Sequence, residues 1–212
     1  MRTLPAPLAG LAALLLAPAL RAQGAPAATP APAARAPTIL PAATQIAAAV
    51  LPAPAELRAG AAVLGYAPDR PGLVELRKGT NDMVCLASDP KAQRFHVACY
   101  HKSLEPFMAR GRELRGGGMA PQAADSVRSG EAKSGKLKLP EHPAALYSLT
   151  GELGSFDAAT GAVTGARPLY VVYIPFATAE STGLSATPAP GTPWIMFPGT
   201  PKAHIMFVPD MR

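Results

Sequence analysis

The sequence predicts an α+β domain: a mainly antiparallel sheet with one amphipathic helix packed on it and one or two short helices. Short segments rich in β-branched and aromatic residues, such as 73–78 and 169–174, recur between turn residues. Residues 104–114 instead carry apolar side chains at helical spacing. The strands do not alternate regularly with helices, which argues against a doubly wound parallel sheet.

The first 22 residues have the pattern of an export signal. Arg2 supplies the positive charge, residues 8–17 form an apolar run, and residues 20–22 end in a small residue. The run is too short to cross a bilayer and no later run reaches its length, so we expect no membrane span after signal removal. The protein is therefore predicted to be periplasmic or secreted.

Residues 23–43 are rich in Ala and Pro and are predicted to be a semi-extended tether, because they bury too little apolar area to offset ordering. The folded domain is then expected over residues 44–212. Removing residues 1–22 takes away two arginines and lowers the net charge from +6 to +4. The remaining basic residues are dispersed, which argues against a nucleic-acid partner.

The domain is expected to open with a short helix over residues 44–51 and a further helical turn over residues 54–58. Two strands follow, over residues 61–66 and 73–78, with a turn at residues 69–72.

A hairpin is predicted from residues 83–87 and 95–100, centred on Ala92. This register places Cys85 opposite Cys99, close enough for a disulfide. Two cysteines in an exported chain also favour one disulfide. The same register puts six side chains on one face: Met83, Cys85, Ala87, Phe95, Val97 and Cys99.

Ser103 is expected to cap the amphipathic helix. Its apolar face consists of Leu104, Phe107, Met108, Gly111 and Leu114, and three glycines at residues 116–118 end it. Residues 119–140 are small and polar and are predicted to be a mobile loop.

Strands are expected again at residues 144–149 and 169–174, the second being central because it is the most β-prone run. A long loop over residues 177–193 precedes two similar short strands at residues 194–198 and 204–209.

Several short motifs occur in a fixed order: Val-x-Leu-Arg-x-Gly-Thr-Asn at residues 74–81, Cys85, Asp89-Pro90, Cys99, a helix, and His204-Ile205-Met206. In this order the chain resembles a group of small exported bacterial proteins that have no assigned activity. The resemblance covers residues 61–115 and the last fifteen residues, and it implies no substrate, cofactor or reaction.

The candidate metal-ligating or catalytic residues are His101, Glu105 and His204. His101 and Glu105 are four residues apart at a helix start, but no HExxH, HxH or HxxE cluster is present. His204 with Met196 and Met206 would suit Cu(I), because thioethers are soft ligands. Methionines at strand spacing more often fill a core, so we expect no metal and no cofactor.

No nucleophile elbow is present, and cysteines paired in a disulfide are poor nucleophiles. The favoured interpretation is an exported, non-catalytic module that binds a small molecule or an envelope partner. The alternative is a small exported enzyme, hydrolytic or metal-assisted, that uses His101, Glu105 and His204. A third possibility is a structural or assembly factor. A pocket holding the three residues together would favour the enzyme, and their separation would favour the module.

Overall fold

An eight-stranded sheet with helices on both faces forms the domain in the computed structural model, which describes residues 38–189 and 191–209. The predicted signal and residues 23–37 of the predicted tether lie outside the described residues. The strands are β1 (Ala62–Ala67), β2 (Arg70–Arg77), β3 (Met83–Leu86), β4 (Phe95–His101), β5 (Ala144–Gly151), β6 (Arg167–Tyr173), β7 (Trp194–Met196) and β8 (His204–Phe207). The helices are α1 (Ala42–Ala49), α2 (Ala55–Arg58), α3 (Glu105–Gly116), α4 (Pro121–Lys133) and α5 (Ala179–Thr182), with a 3₁₀ turn at Lys102–Leu104.

The strand order is β2-β1-β3-β4-β5-β6-β8-β7. All neighbours are antiparallel except β1 and β3, which are parallel. The α+β prediction is confirmed. The sheet is mixed because the chain leaves β2, crosses to the other side of β1 and enters β3 parallel to β1. Strand β6 is interior, as predicted, and β2 and β7 are the two edges.

The Gly-Thr-Asn sequence makes this crossing possible. A Cβ on Gly79 would lie 2.8 Å from the backbone nitrogen of Ala62, so only glycine allows the approach. The backbone amides of Thr80 and Asn81 both donate to the Gly60 carbonyl, at 2.7 and 3.1 Å. The Asn81 side chain donates to the Leu57 carbonyl, and its oxygen accepts the amide of Met83 at the start of β3. The motif therefore has a structural role.

The β3–β4 hairpin has the predicted register. Cys85 lies opposite Cys99, and their sulfur atoms are at bonding distance, 2.06 Å. The six side chains predicted to share one face are all buried. They pack with the C-terminal half of α1, where Ala48 and Ala49 are buried. This hairpin is the centre of the core on the α1 face.

The 3₁₀ turn and α3 cover the opposite face, where Leu104 and Met108 pack in a cluster with Tyr100 and Ala144. Phe107 of α3 is also buried. The predicted Ser103 cap is wrong: Ser103 lies in the 3₁₀ turn, where its backbone amide donates to the His101 ring, and α3 begins at Glu105.

The predicted loop over residues 119–140 is also wrong, because α4 occupies most of it. Arg110 of α3 donates two hydrogen bonds to Glu131 of α4, at 2.9 and 2.7 Å. Arg128 of α4 lies over the Phe107 ring, 4.1 Å from its centroid. These contacts stabilise a helix in which weaker helix formers, including two serines and Gly130, interrupt the alanines and long polar residues. No helix among the described residues is long and apolar enough to span a membrane.

Candidate functional site

His101 lies at the end of β4 and takes part in local contacts. Its Nδ1 is 2.8 Å from the Ser103 hydroxyl, and its Nε2 is 3.8 Å from a carboxylate oxygen of Asp82. Lys102 contacts the same carboxylate at 2.6 Å and lowers the pKa of Asp82 through that hydrogen bond. These contacts fix the turn between β4 and α3, which is a structural role.

Both carboxylate oxygens of Glu105 are engaged. Tyr100 donates to Oε2 at 2.5 Å, and Arg112 donates to Oε1 at 2.5 Å and to the Tyr100 hydroxyl at 2.8 Å. Burial raises the pKa of Tyr100 well above its usual range. Tyr100 is on β4 and the other two residues are on α3, so this network holds the helix on the sheet.

His204, at the start of β8, is buried between aromatic rings. The ring centroids of Tyr173 and Phe197 lie 5.0 and 5.8 Å from that of His204. The Nδ1 atom is 2.6 Å from the Lys202 carbonyl. Because a carbonyl only accepts, Nδ1 carries the proton and Nε2 presents its lone pair. Among the described residues, Nε2 has no hydrogen-bond partner.

The structure therefore does not bring His101, Glu105 and His204 into a shared contact, since each has separate partners. Within residues 38–189 and 191–209, no group of three or more His, Cys, Asp or Glu side chains is placed to hold a metal ion.

The surroundings of His204 form a site that we call the aromatic corner: Tyr173, Phe176, Phe197, Lys202 and His204. It lies where β6 and β7 end and β8 begins. Backbone hydrogen bonds tie its loops together, from the Phe176 amide to the Thr200 carbonyl and from the Gly199 amide to the Ala177 carbonyl. The corner is thus built on three neighbouring strands.

Two residues of the corner have a strained backbone. Phe176 and Phe197 have φ of 63° and 53°, the left-handed region that bulky residues rarely adopt. In the part of the chain that the structure describes, they are the only non-glycine residues with positive φ. Their side chains are nevertheless 47% and 42% exposed. Such strain persists where the surrounding structure holds it, commonly at binding sites.

An ionic cluster supports the corner from α4. Lys202 lies over the Phe197 ring, with Nζ 3.9 Å from the centroid, and contacts Asp125 at 2.5 Å. Arg128 contacts the other oxygen of Asp125 at 2.5 Å. Burial acts to raise the pKa of Asp125, but the hydrogen bonds from Lys202 and Arg128 outweigh it, so this pKa lies below its usual range.

Burial is the main cause of the pKa shifts of the two titratable rings of the corner. It lowers the pKa of His204, and the nearby Lys202 charge acts in the same direction. It raises the pKa of Tyr173. Both rings are therefore neutral at pH 7. The corner offers aromatic surface and one imidazole lone pair, and its one ammonium group, on Lys202, is paired with Asp125.

A second candidate is a depression of about 320 Å³ on the α1 face. Its walls include Arg58 and the edge-to-face pair Tyr147 and Tyr170, whose ring centroids are 5.7 Å apart. The Arg58 guanidinium already donates to the carbonyls of Leu51 and Ala53. The depression therefore lacks a charged group free to orient a ligand.

Sequence reasoning identified His204 but not its neighbours in the corner. Asp125 was missed because α4 was interpreted as a loop; Pro121 in the first turn of α4 was the available signal. Phe176 and Phe197 carry no sequence signal for positive φ, since phenylalanine disfavours that conformation. Comparison of the chain with protein-family models, curated proteins and solved structures gave no match.

Proposed function

We propose that this chain is an exported, non-catalytic binding module that recognises a small molecule or an envelope partner at the aromatic corner. The observation that carries the proposal is the pair Phe176 and Phe197, half-exposed on a strained backbone. Exposed aromatic rings supply contact area at low entropic cost, and strain is retained where function requires the geometry.

The polar groups of the corner indicate the ligand chemistry. His204 Nε2 can accept a hydrogen bond, and the Lys202 ammonium, which is paired with Asp125, lies beside the Phe197 ring. A ligand with an apolar face and hydroxyl or acidic groups at its edge matches this combination. Fragments of an envelope glycan have that chemistry and are the first probe.

The alternative, a hydrolytic or metal-assisted enzyme using His101, Glu105 and His204, has less support. Both oxygens of Glu105 bind Tyr100 and Arg112, and the three candidates share no contact.

The test is titration of the ¹⁵N-labelled protein with soluble peptidoglycan fragments, observed by NMR. We expect saturable shifts at residues 173–178 and 197–204, and their loss in Phe176→Ala and Phe197→Ala. Phe207→Ala is the matched control, because Phe207 is 39% exposed but lies in β8 on the face opposite to that of His204. Shifts that survive both corner substitutions, or that Phe207→Ala also abolishes, would contradict the proposal.

A further inference from the structure

Four side chains of the β7–β8 pair share one face of the sheet. Met196 lies directly opposite His204, and Trp194 lies directly opposite Met206. Because side chains alternate along a strand, His204 and Met206 point the same way, as do Trp194 and Met196. An imidazole and two thioethers therefore converge on one patch of an edge hairpin.

The spacing allows the three donors to reach one ion. Opposed Cβ atoms in antiparallel strands lie about 4.5–5.5 Å apart and diagonal ones about 7–8 Å. Met196 and His204 are an opposed pair, while Met196 and Met206 are a diagonal pair. Methionine has three rotatable bonds, so its sulfur covers these distances without a change in the backbone.

The interpretation of these methionines as core filler does not fit their exposure. Met196 is 36% exposed, on the edge strand β7, and Met206 is only partly buried. Met83 is a core methionine, and its exposure is much lower: it is 5% exposed and packs in the cluster around the disulfide. The pair on β7 and β8 thus presents sulfur at the surface.

His204 has the hydrogen bonding of a metal ligand. Metal-bound histidines almost always donate the other ring N–H to a carbonyl or a carboxylate, which fixes the tautomer. His204 donates from Nδ1 to the Lys202 carbonyl at 2.6 Å, and Nε2 has no partner among the described residues.

We propose that His204, Met196 and Met206 bind one soft monovalent cation, Cu(I), or Ag(I) in its place. A site with one imidazole and two thioethers selects a soft ion and disfavours hard cations, which require oxygen ligands. Both cysteines are joined to each other, so the thioethers are the soft sulfur donors of the described residues. This goes beyond recognition of an envelope ligand by Phe176 and Phe197. The two proposals share His204, but Met196 and Met206 belong to the cation site alone.

The fluorescence of Trp194 can report the binding of an ion at this site. Trp194 is the only tryptophan of the chain, it is buried, and it lies opposite Met206. Its indole nitrogen is the one buried side-chain polar atom without a partner in the part of the chain that the structure describes. An ion held by Met206 therefore changes the emission of a single, identifiable fluorophore.

The experiment is titration of the purified, disulfide-bonded protein with Ag(I), which needs no reductant, and then with Cu(I) kept reduced by ascorbate. We expect saturation of the Trp194 emission change at one equivalent. Met196→Leu, Met206→Leu and His204→Gln should each weaken binding by at least about tenfold, because loss of an outer-sphere partner alone typically costs about tenfold to 100-fold. Met119→Leu is the matched control and should bind as the unmodified protein does.

A second readout does not depend on variants. The Cε-methyl signals of Met196 and Met206 should shift on addition of Ag(I), while those of Met83, Met108 and Met119 should not. Absence of saturable binding, binding that survives the double substitution of Met196 and Met206 by leucine, or methyl shifts confined to other methionines would each overturn the proposal. Binding by Phe176→Ala with unchanged affinity would separate this site from the envelope-ligand site.

Discussion

Replacing Phe176 by alanine and by glycine separates backbone strain from loss of the ring. Both substitutions remove the same aromatic group, so their difference in stability reports the backbone at φ 63°. A left-handed conformation costs alanine about 1–2 kcal/mol. Glycine avoids this cost but loses about 0.5–1 kcal/mol more conformational entropy on folding than alanine. We therefore expect Phe176→Gly to be more stable than Phe176→Ala by about 0.5–1 kcal/mol.

The same pair of substitutions at Phe207 should give the opposite sign. Phe207 is similarly exposed but belongs to β8, where the backbone is extended. Glycine in a strand is less stable than alanine by about 0.5–1 kcal/mol. Urea unfolding of the four variants, followed by far-UV circular dichroism, measures both differences. If alanine is the more stable substitution at both positions, the strain at Phe176 is not real and the argument for the aromatic corner fails.

Two further predictions concern the core and the ionic cluster. Reduction of the Cys85–Cys99 pair, or its replacement by two alanines, should lower the free energy of unfolding by about 3 kcal/mol, because the bond restricts the unfolded chain; an unchanged urea midpoint would contradict this. The folded-state pKa of Asp125 is depressed, so its stabilising contribution is present above the unfolded pKa of about 3.9 and is lost as the pH falls through the folded pKa. Asp125→Asn should be less stable than the unmodified protein by about 1 kcal/mol at pH 7, and the two unfolding curves should converge below pH 4; a difference that stays constant with pH would exclude the electrostatic explanation.

Features that depend on neighbouring residues could be predicted from the sequence. The β3–β4 register follows from the parity of Cys85 and Cys99 about Ala92, and the buried face of the hairpin follows with it. The apolar spacing of Leu104 and Phe107 located α3 for the same reason, since helical periodicity is local.

Features that depend on contacts between distant segments could not be predicted from the sequence. Helix α4 is stabilised by contacts of Glu131 and Arg128 with α3. Its own residues do not indicate these contacts, because the partner side chains lie in a separate helix. The parallel β1–β3 pair requires Gly79 to pass beside Ala62, a contact between segments that are separate in sequence. The aromatic corner combines both difficulties, because Phe197 adopts a backbone conformation that its own preference opposes.

The position of the disulfide within one hairpin also permits an order of folding in which the hairpin forms first. Both cysteines belong to adjacent strands, so the bond needs none of the chain that follows Cys99. When the chain emerges with its N-terminus first, this disulfide can form before β5, β6, β7 and β8 have emerged. Since a slip of one residue would separate the two sulfurs, oxidation also locks the register. The closed hairpin then offers one edge to β1 and the other to β5, and the sheet can grow outward from it in both directions.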